Sequence, residues 1–186
     1  MDYQERTVRL KNGKACRLRR AVESDAEMLL KYLKIVWGET RYLMREPEDM
    51  SLTVEKEREI LRERAESDTG LMLLSEVDGE HAGTAFFDAI GKQNRARHRC
   101  SVGITLYRAF WGMGVGTALM GEILQRAKMA GYEQAELEVV SANAAAIGLY
   151  RKLGFETTGT IPRALKYRDG TYADSLYMVK TLLSSD

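Results

Sequence analysis

Hydrophobic positions change their period several times along this chain, and each change marks a boundary. In "ACRLRRA", residues 15–21, apolar and charged residues alternate at the two-residue period of a half-buried strand, the first predicted in the chain. From "ESDAEMLLKYLKIVW" onward the spacing is helical, with Met28, Leu29, Tyr32, Leu33 and Val36 on one face and Ser24 or Asp25 placed as cap. "GETRYLMREPEDMS", with Pro47 inside it, follows neither period and reads as a loop. A second, charge-laced helix is predicted over "LTVEKEREILRERAE", capped by Thr53. Three apolar runs come next: "GLMLLSEV", then "HAGTAFFDAI" after a turn at Asp78 and Gly79, then "RCSVGITL". Their short connections predict an antiparallel meander.

The second half alternates differently. A helix is predicted over about 115–130, ended by Gly131, then a strand "AELEVV". A further helix, "NAAAIGLYRKL", is capped by Asn143 and ended by Gly154. Strands "FETTGTI" and "TYADSLYMVKTL" flank the turn "YRDGTY". Strand, helix and strand across 101–141 require a parallel pair joined by a crossover helix. The expectation is one α+β domain over 1–186, with a mixed sheet and helices on both faces.

One stretch resists this scheme. "RAFWGMGVGTALMGEIL" places Gly112, Gly114 and Gly116 where a helix should be starting, although glycine weakens a helix by about 1 kcal/mol relative to alanine. A strand-to-helix turn is where free backbone N–H groups converge on an anion, and glycine lets a phosphate approach without a Cβ in its way. The P-loop is excluded because no lysine follows Gly116, and the dinucleotide fingerprint because the third glycine is wrongly spaced. A tight turn with packing glycines is the plain alternative.

Composition narrows the chemistry. Apolar residues make up 45% and charged residues 30%, an ordinary globular balance, and the formal net charge of +1 gives no global case for a nucleic-acid partner. The basic segment "GKQNRARHR", with Lys92, Arg95, Arg97 and then Arg99, reads as a solvated hairpin tip, with contact to an anionic partner as the alternative. "MDYQERTVRLKNGK" lacks the apolar centre of a signal peptide, and no apolar run is long enough for a membrane span, so the expected compartment is the cytoplasm. Cys16 and Cys100 fall in separate strands and read as buried free thiols. With only His81 and His98 as histidines, no metal site is expected.

Downstream of the glycines, "LEVVSANAAAIGLYRKLGF" supplies a second pattern, and together the two resemble the GNAT superfamily of N-acetyltransferases. That family's pyrophosphate loop, Q/R-x-x-G-x-G/A, is met by Gly114 and Gly116, with Trp111 in the first place. Its second segment, N-x-x-A-x-x-L-Y-x-K-x-G-F, is met at Asn143, Ala146, Leu149, Tyr150, Lys152, Gly154 and Phe155. Trp111 departs from the family's arginine or glutamine; the backbone amides do not depend on it, and Arg108, Arg151 or Lys152 are candidates for the missing charge.

The resemblance implies acetyl-CoA as donor, bound where two parallel strands splay, with no metal. Its pantetheine arm would pair with Ile104, Thr105 and Leu106 as an added strand, and its diphosphate would lie on Gly112, Met113, Gly114, Val115, Gly116 and Thr117. Asn143 would both cap its helix and reach the cofactor. Tyr150 stands where the family has its general acid, against the plain alternative of a core aromatic. The base is open: the family's glutamate position before the glycine loop holds Ser101 and Val102, Glu138 fits a second family position, and a water chain would also serve.

The acceptor would be a small-molecule or peptide amine, met by "WGETRYLMREPED", the last hairpin around 167–174, and the carboxylates Glu39, Glu46 and Asp88. No nucleic acid or membrane partner is implied, and a homodimer stays open. The rival reading is a sensor module of the same fold that binds acyl-CoA without turnover.

Overall fold

The computed structural model describes residues 3–91 and 93–183. Eight strands form one sheet in the order β1-β2-β3-β4-β5-β6-β8-β7. In chain order the elements are β1 (Arg6–Arg9), β2 (Ala15–Arg20), α1 (Ala26–Glu39), α2 (Val54–Glu66), β3 (Gly70–Val77), β4 (Glu80–Ala89) and β5 (Arg99–Leu106). They continue with α3 (Val115–Met129), β6 (Gln134–Val140), α4 (Ala144–Lys152), β7 (Glu156–Lys166) and β8 (Tyr172–Thr181). All neighbours are antiparallel except β5 and β6, the pair linked by the crossover helix α3.

Helices cover both faces, and β3 shows why its sequence is apolar almost throughout. Leu71 and Leu73 point into the larger core with α3 and α4, while Leu74 and Met72 point to the opposite face with α1 and α2. Tyr32 is fully buried on that second face, where its hydroxyl donates to Thr105 Oγ1 at 2.8 Å. The glycines at chain reversals have the left-handed backbone expected of them: Gly131 and Gly154 follow helix ends, and Asp78 with Gly79 makes the β3–β4 turn.

Three expectations are corrected. The alternating run at 15–21 is the second strand, not the first: β1 precedes it, unrecognised because only Val8 of its four residues is even half-buried. Neither Ser24 nor Asp25 caps α1 with its side chain; the Asp25 carboxylate instead accepts from Val22 N–H and from both terminal nitrogens of Arg19. Strand β7 does not stop at Ile161 but runs to Lys166. It passes Pro162 at the sheet edge through a register irregularity that holds Arg163 at φ +53°. The caps predicted at Thr53 and Asn143 are present, each accepting from the backbone N–H three residues on.

Candidate active site

Strands β5 and β6 share only three rungs, Arg99 with Gln134, Cys100 with Ala135 and Ser101 with Glu136. Beyond them β5 continues against β4 as far as Leu106, and β6 against β8 as far as Val140, so the two strands diverge. The edge of β5 from Val102 to its end is left without a strand partner on that side. A cavity of about 620 Å³ opens in the divergence, walled by Ile104, Thr105 and Leu106 on one side and Glu138 and Val139 on the other. Gly103 is required here, because a Cβ would stand 2.6 Å from the Phe86 ring, which crosses β5 to line the same cavity.

The glycine turn closes one end. After a short 3-10 turn over Arg108–Phe110 the chain takes left-handed backbone at Gly112, φ +75°, and Gly114, φ +93°, and α3 begins at Val115. No side chain caps α3, so its first N–H groups remain free at the positive end of the helix dipole. Gly116 admits the side chains of α4 and β5: a Cβ there would meet Leu149 Cδ2 at 3.1 Å and Leu106 Cδ1 at 3.5 Å. Gly112, Gly114, Gly116 and Thr117 line the cavity; the Met113 side chain packs toward the core and Val115 is fully buried, which leaves these two only their backbone.

Trp111 has a local task. Its indole N–H donates to Leu106 O at 3.1 Å, at the very end of β5, and the Arg108 guanidinium lies 5.6 Å above its ring. Of the three cations expected to supply charge, Lys152 alone lines the cavity; Arg108 and Arg151 do not. The structure adds Lys11, which sequence reasoning missed because its neighbour Gly114 is far along the chain.

Tyr150 has the packing of a core aromatic and also a place in the cavity wall. It is buried against Phe155, ring centroids 5.8 Å apart, and also lines the cavity; burial pushes its phenol up to about 12. Glu138 is exposed and is the one carboxylate among the described residues that lines the cavity, with no ion pair of its own. Asn143 lines it too, and its Oδ1 accepts from Ala146 N–H at 3.2 Å, which leaves its Nδ2 free to donate elsewhere.

On the α1 side the wall is Val36, Thr40, Tyr42, Leu43 and Phe86. The loop after α1 therefore contributes as expected, but the three proposed carboxylates do not. Glu39 accepts from Arg108 N–H at 2.8 Å, Glu46 from Arg168 Nε at 2.6 Å, and Asp88 from Arg64 Nη2 at 2.5 Å, and none lines the cavity. Nor does the last hairpin line it; its tip is clasped to the loop instead, with Arg41 stacked 3.8 Å over Tyr167. In the basic segment, Arg99 belongs to β5 and binds Glu136, while Lys92 lies outside the described residues. Cys16 and Cys100 are buried free thiols.

A long amide-bearing arm ending in a diphosphate fits this arrangement. It would find an unpaired strand edge, bare helix N-terminal amides beside glycines with no Cβ, and lysines at the mouth. Among the described residues no helix is long and apolar enough to cross a membrane, and no group of three or more His, Cys, Asp or Glu could hold a metal ion.

The acetyltransferase (GNAT) family model matches residues 35–155, and the chain belongs to that family. It is 32% identical over 109 residues to the L-amino acid N-acetyltransferase AaaT of Escherichia coli (strain K12), across 58% of this chain and 66% of that one. It is 36% identical over 67 residues to an L-methionine sulfoximine/L-methionine sulfone acetyltransferase of Pseudomonas aeruginosa, across 36% of this chain and 38% of that one. The matched stretches thus span less than two thirds of either relative. Among solved structures, a GNAT-family acetyltransferase from Streptococcus pneumoniae superposes with a TM-score of 0.83 at 29% identity, covering 89% of this chain and 98% of that one. A phosphinothricin acetyltransferase from Sinorhizobium meliloti, solved with acetyl-CoA, shares the fold with a TM-score of 0.78 at 20% identity, over 89% and 88% of the two chains.

Proposed function

We propose that this protein is a one-domain, cytoplasmic N-acetyltransferase that moves an acetyl group from acetyl-CoA to a primary amine by direct attack. The observation that carries the reading is that one cavity holds the free edge of β5, the glycine turn, Tyr150 and Glu138 together. In this reading Ile104, Thr105 and Leu106 bind the pantetheine arm, the amides of 112–117 bind the diphosphate, and the free amide nitrogen of Asn143 steadies the arm. Two buried unpaired thiols suit a reducing compartment.

An alkyl amine of pKa near 10.4 is only about 0.1% neutral at pH 7.4, so the attacking nitrogen must lose a proton. Glu138, unpaired and facing the cavity, takes that proton directly or through water. The nitrogen lone pair forms a bond to the thioester carbonyl carbon, and a backbone N–H of the splayed β5 edge stabilises the oxyanion. As the tetrahedral intermediate collapses, the C–S bond breaks and Tyr150 donates its proton to the departing sulfur. The surplus proton on the adduct nitrogen passes through water to the Tyr150 phenolate, which leaves a neutral amide and CoA thiol. A phenol pushed up to about 12 is protonated throughout the neutral range, as this role requires.

The amine is carried by a small molecule, and L-amino acids are the first class to screen. Two observations support this: the curated relatives are named for such substrates, and the wall of Val36, Leu43, Tyr42 and Phe86 suits an apolar side chain. The test is a free-thiol assay of CoA release across amino acids, polyamines and peptide N-termini. Steady release with at least one amine is expected. Tight acetyl-CoA binding with no release for any amine would favour the sensor reading instead.

A further inference from the structure

The positive charge absent at Trp111 has a candidate source in the first hairpin, well outside the family-matched segment 35–155. The β1–β2 turn is held by Leu10 N–H to Lys14 O at 2.8 Å and Gly13 N–H to Leu10 O at 3.0 Å, with Gly13 at φ +83° and Leu10 buried beneath. Lys14 is committed elsewhere, its ammonium 2.5 Å from Asp78 Oδ2 on the β3–β4 turn. Lys11 is not: it is exposed, makes no ion pair among the described residues, and lines the cavity. Its backbone nitrogen and Cγ lie 3.9 and 3.8 Å from where a Cβ on Gly114 would stand, so the hairpin tip rests against the turn whose amides are free.

We infer that Lys11 is a positioning residue for the donor's diphosphate, bringing from the first hairpin the positive charge that the glycine segment lacks. This rests on the acetyl-CoA reading above. An ammonium on a flexible stem is a point charge suited to a phosphate whose main contacts are already made by backbone amides. Because the group is exposed, its contribution is screened as ionic strength rises. Gly114 is shared by both features: a Cβ there would come into van der Waals contact with Lys11.

The experiment is calorimetric titration of wild type, K11A, K11R and K14A with CoA, dephospho-CoA and pantetheine, at low and at high salt. We expect K11A to weaken CoA and dephospho-CoA binding equally, by about 10-fold at low salt, with the difference shrinking at high salt. Pantetheine binding should not change, K11R should stay within about threefold of wild type, and K14A should match wild type. Equal CoA affinity in K11A and wild type would overturn the inference. So would a loss that extends to pantetheine, which reports distortion, or a loss seen with CoA and absent with dephospho-CoA, which reports the 3′-phosphate. Wild type failing to bind CoA at all would instead sink the donor reading.

Discussion

Arg99 and Glu136 clamp the two parallel strands at the point where they part. Arg99 Nη2 donates to Glu136 Oε2 at 2.7 Å, and Glu136 itself faces Ser101 on the last rung shared by β5 and β6. Its carboxylate is fully buried and also accepts from the Tyr177 hydroxyl and from Gln134 Nε2. The divergence that makes the cavity therefore starts from a fixed point.

That clamp makes stability depend on acid. Burial alone would raise the Glu136 pKa, but hydrogen bonds from Arg99, Tyr177 and Gln134 prevail and lower it to about 2. A carboxylate whose folded pKa lies below its ordinary value of 4.5 contributes stability that is fully present above pH 4.5 and is lost as pH falls toward 2. The contribution is on the order of 3 kcal/mol at neutral pH. We expect Glu136→Gln to lower stability by about 2–4 kcal/mol at pH 7 and to flatten the acid limb between pH 4.5 and 2. Urea titrations across pH measure both. An unchanged acid limb in the variant would show that other carboxylates carry it.

The glycines separate into those that serve the cavity and those that do not. Gly114 has left-handed backbone beside Lys11, so Gly114→Glu combines about 1–2 kcal/mol of backbone strain with a negative charge at the proposed diphosphate position. We expect it to fold cooperatively and to lose CoA binding by calorimetry. Gly121 lies inside α3, and nothing stands within 4 Å of an added Cβ. Gly121→Ala should raise stability by about 0.5–1 kcal/mol and leave CoA binding as it was. CoA binding that survives in Gly114→Glu would remove the glycine turn from the donor site.

Most of the fold was legible because its signals are local. The meander strands, the Thr53 and Asn143 caps and the turn at Asp78 and Gly79 follow from period and residue type alone. The donor-side candidates rest on the same kind of local signal, since the glycines and the 143–155 segment each form a contiguous pattern. What escaped depends on contacts between distant segments. Lys11 reaches Gly114 across the fold, Phe86 enters the cavity only because Gly103 has no side chain, and Asp25 is drawn from its cap by Arg19. The acidic residues expected at the acceptor failed on the same ground, for Glu39, Glu46 and Asp88 each have a partner that no spacing rule reveals.

Glu138 is tested by its pH profile. Glu138→Gln keeps the shape and removes the proton acceptor, so kcat/KM should fall by about 10²-fold or more and rise more steeply with pH than in wild type. Acetyl-CoA affinity should hold, since the side chain faces the amine and not the phosphates in the proposed arrangement. Activity that persists with an unaltered profile would assign the proton to a water chain.

Tyr150 is where packing and chemistry must be told apart. Its ring is buried against Phe155, so truncation to alanine would confuse loss of core with loss of acid. Tyr150→Phe retains the ring and deletes only the hydroxyl. A donor to the departing sulfur acts chiefly in the transition state, so kcat should fall with little change in acetyl-CoA affinity. General acid catalysis typically contributes about 10²–10⁴-fold, and the lower end is expected because a thiolate of pKa about 8.5 is already a fair leaving group. The sign of the pH dependence follows as well. With the phenol pushed up to about 12, Tyr150 stays protonated and creates no limb in the neutral range, so wild type and variant should share their profile below pH 9 and differ by a constant factor. Wild-type kcat in Tyr150→Phe on its true acceptor would reduce this residue to packing.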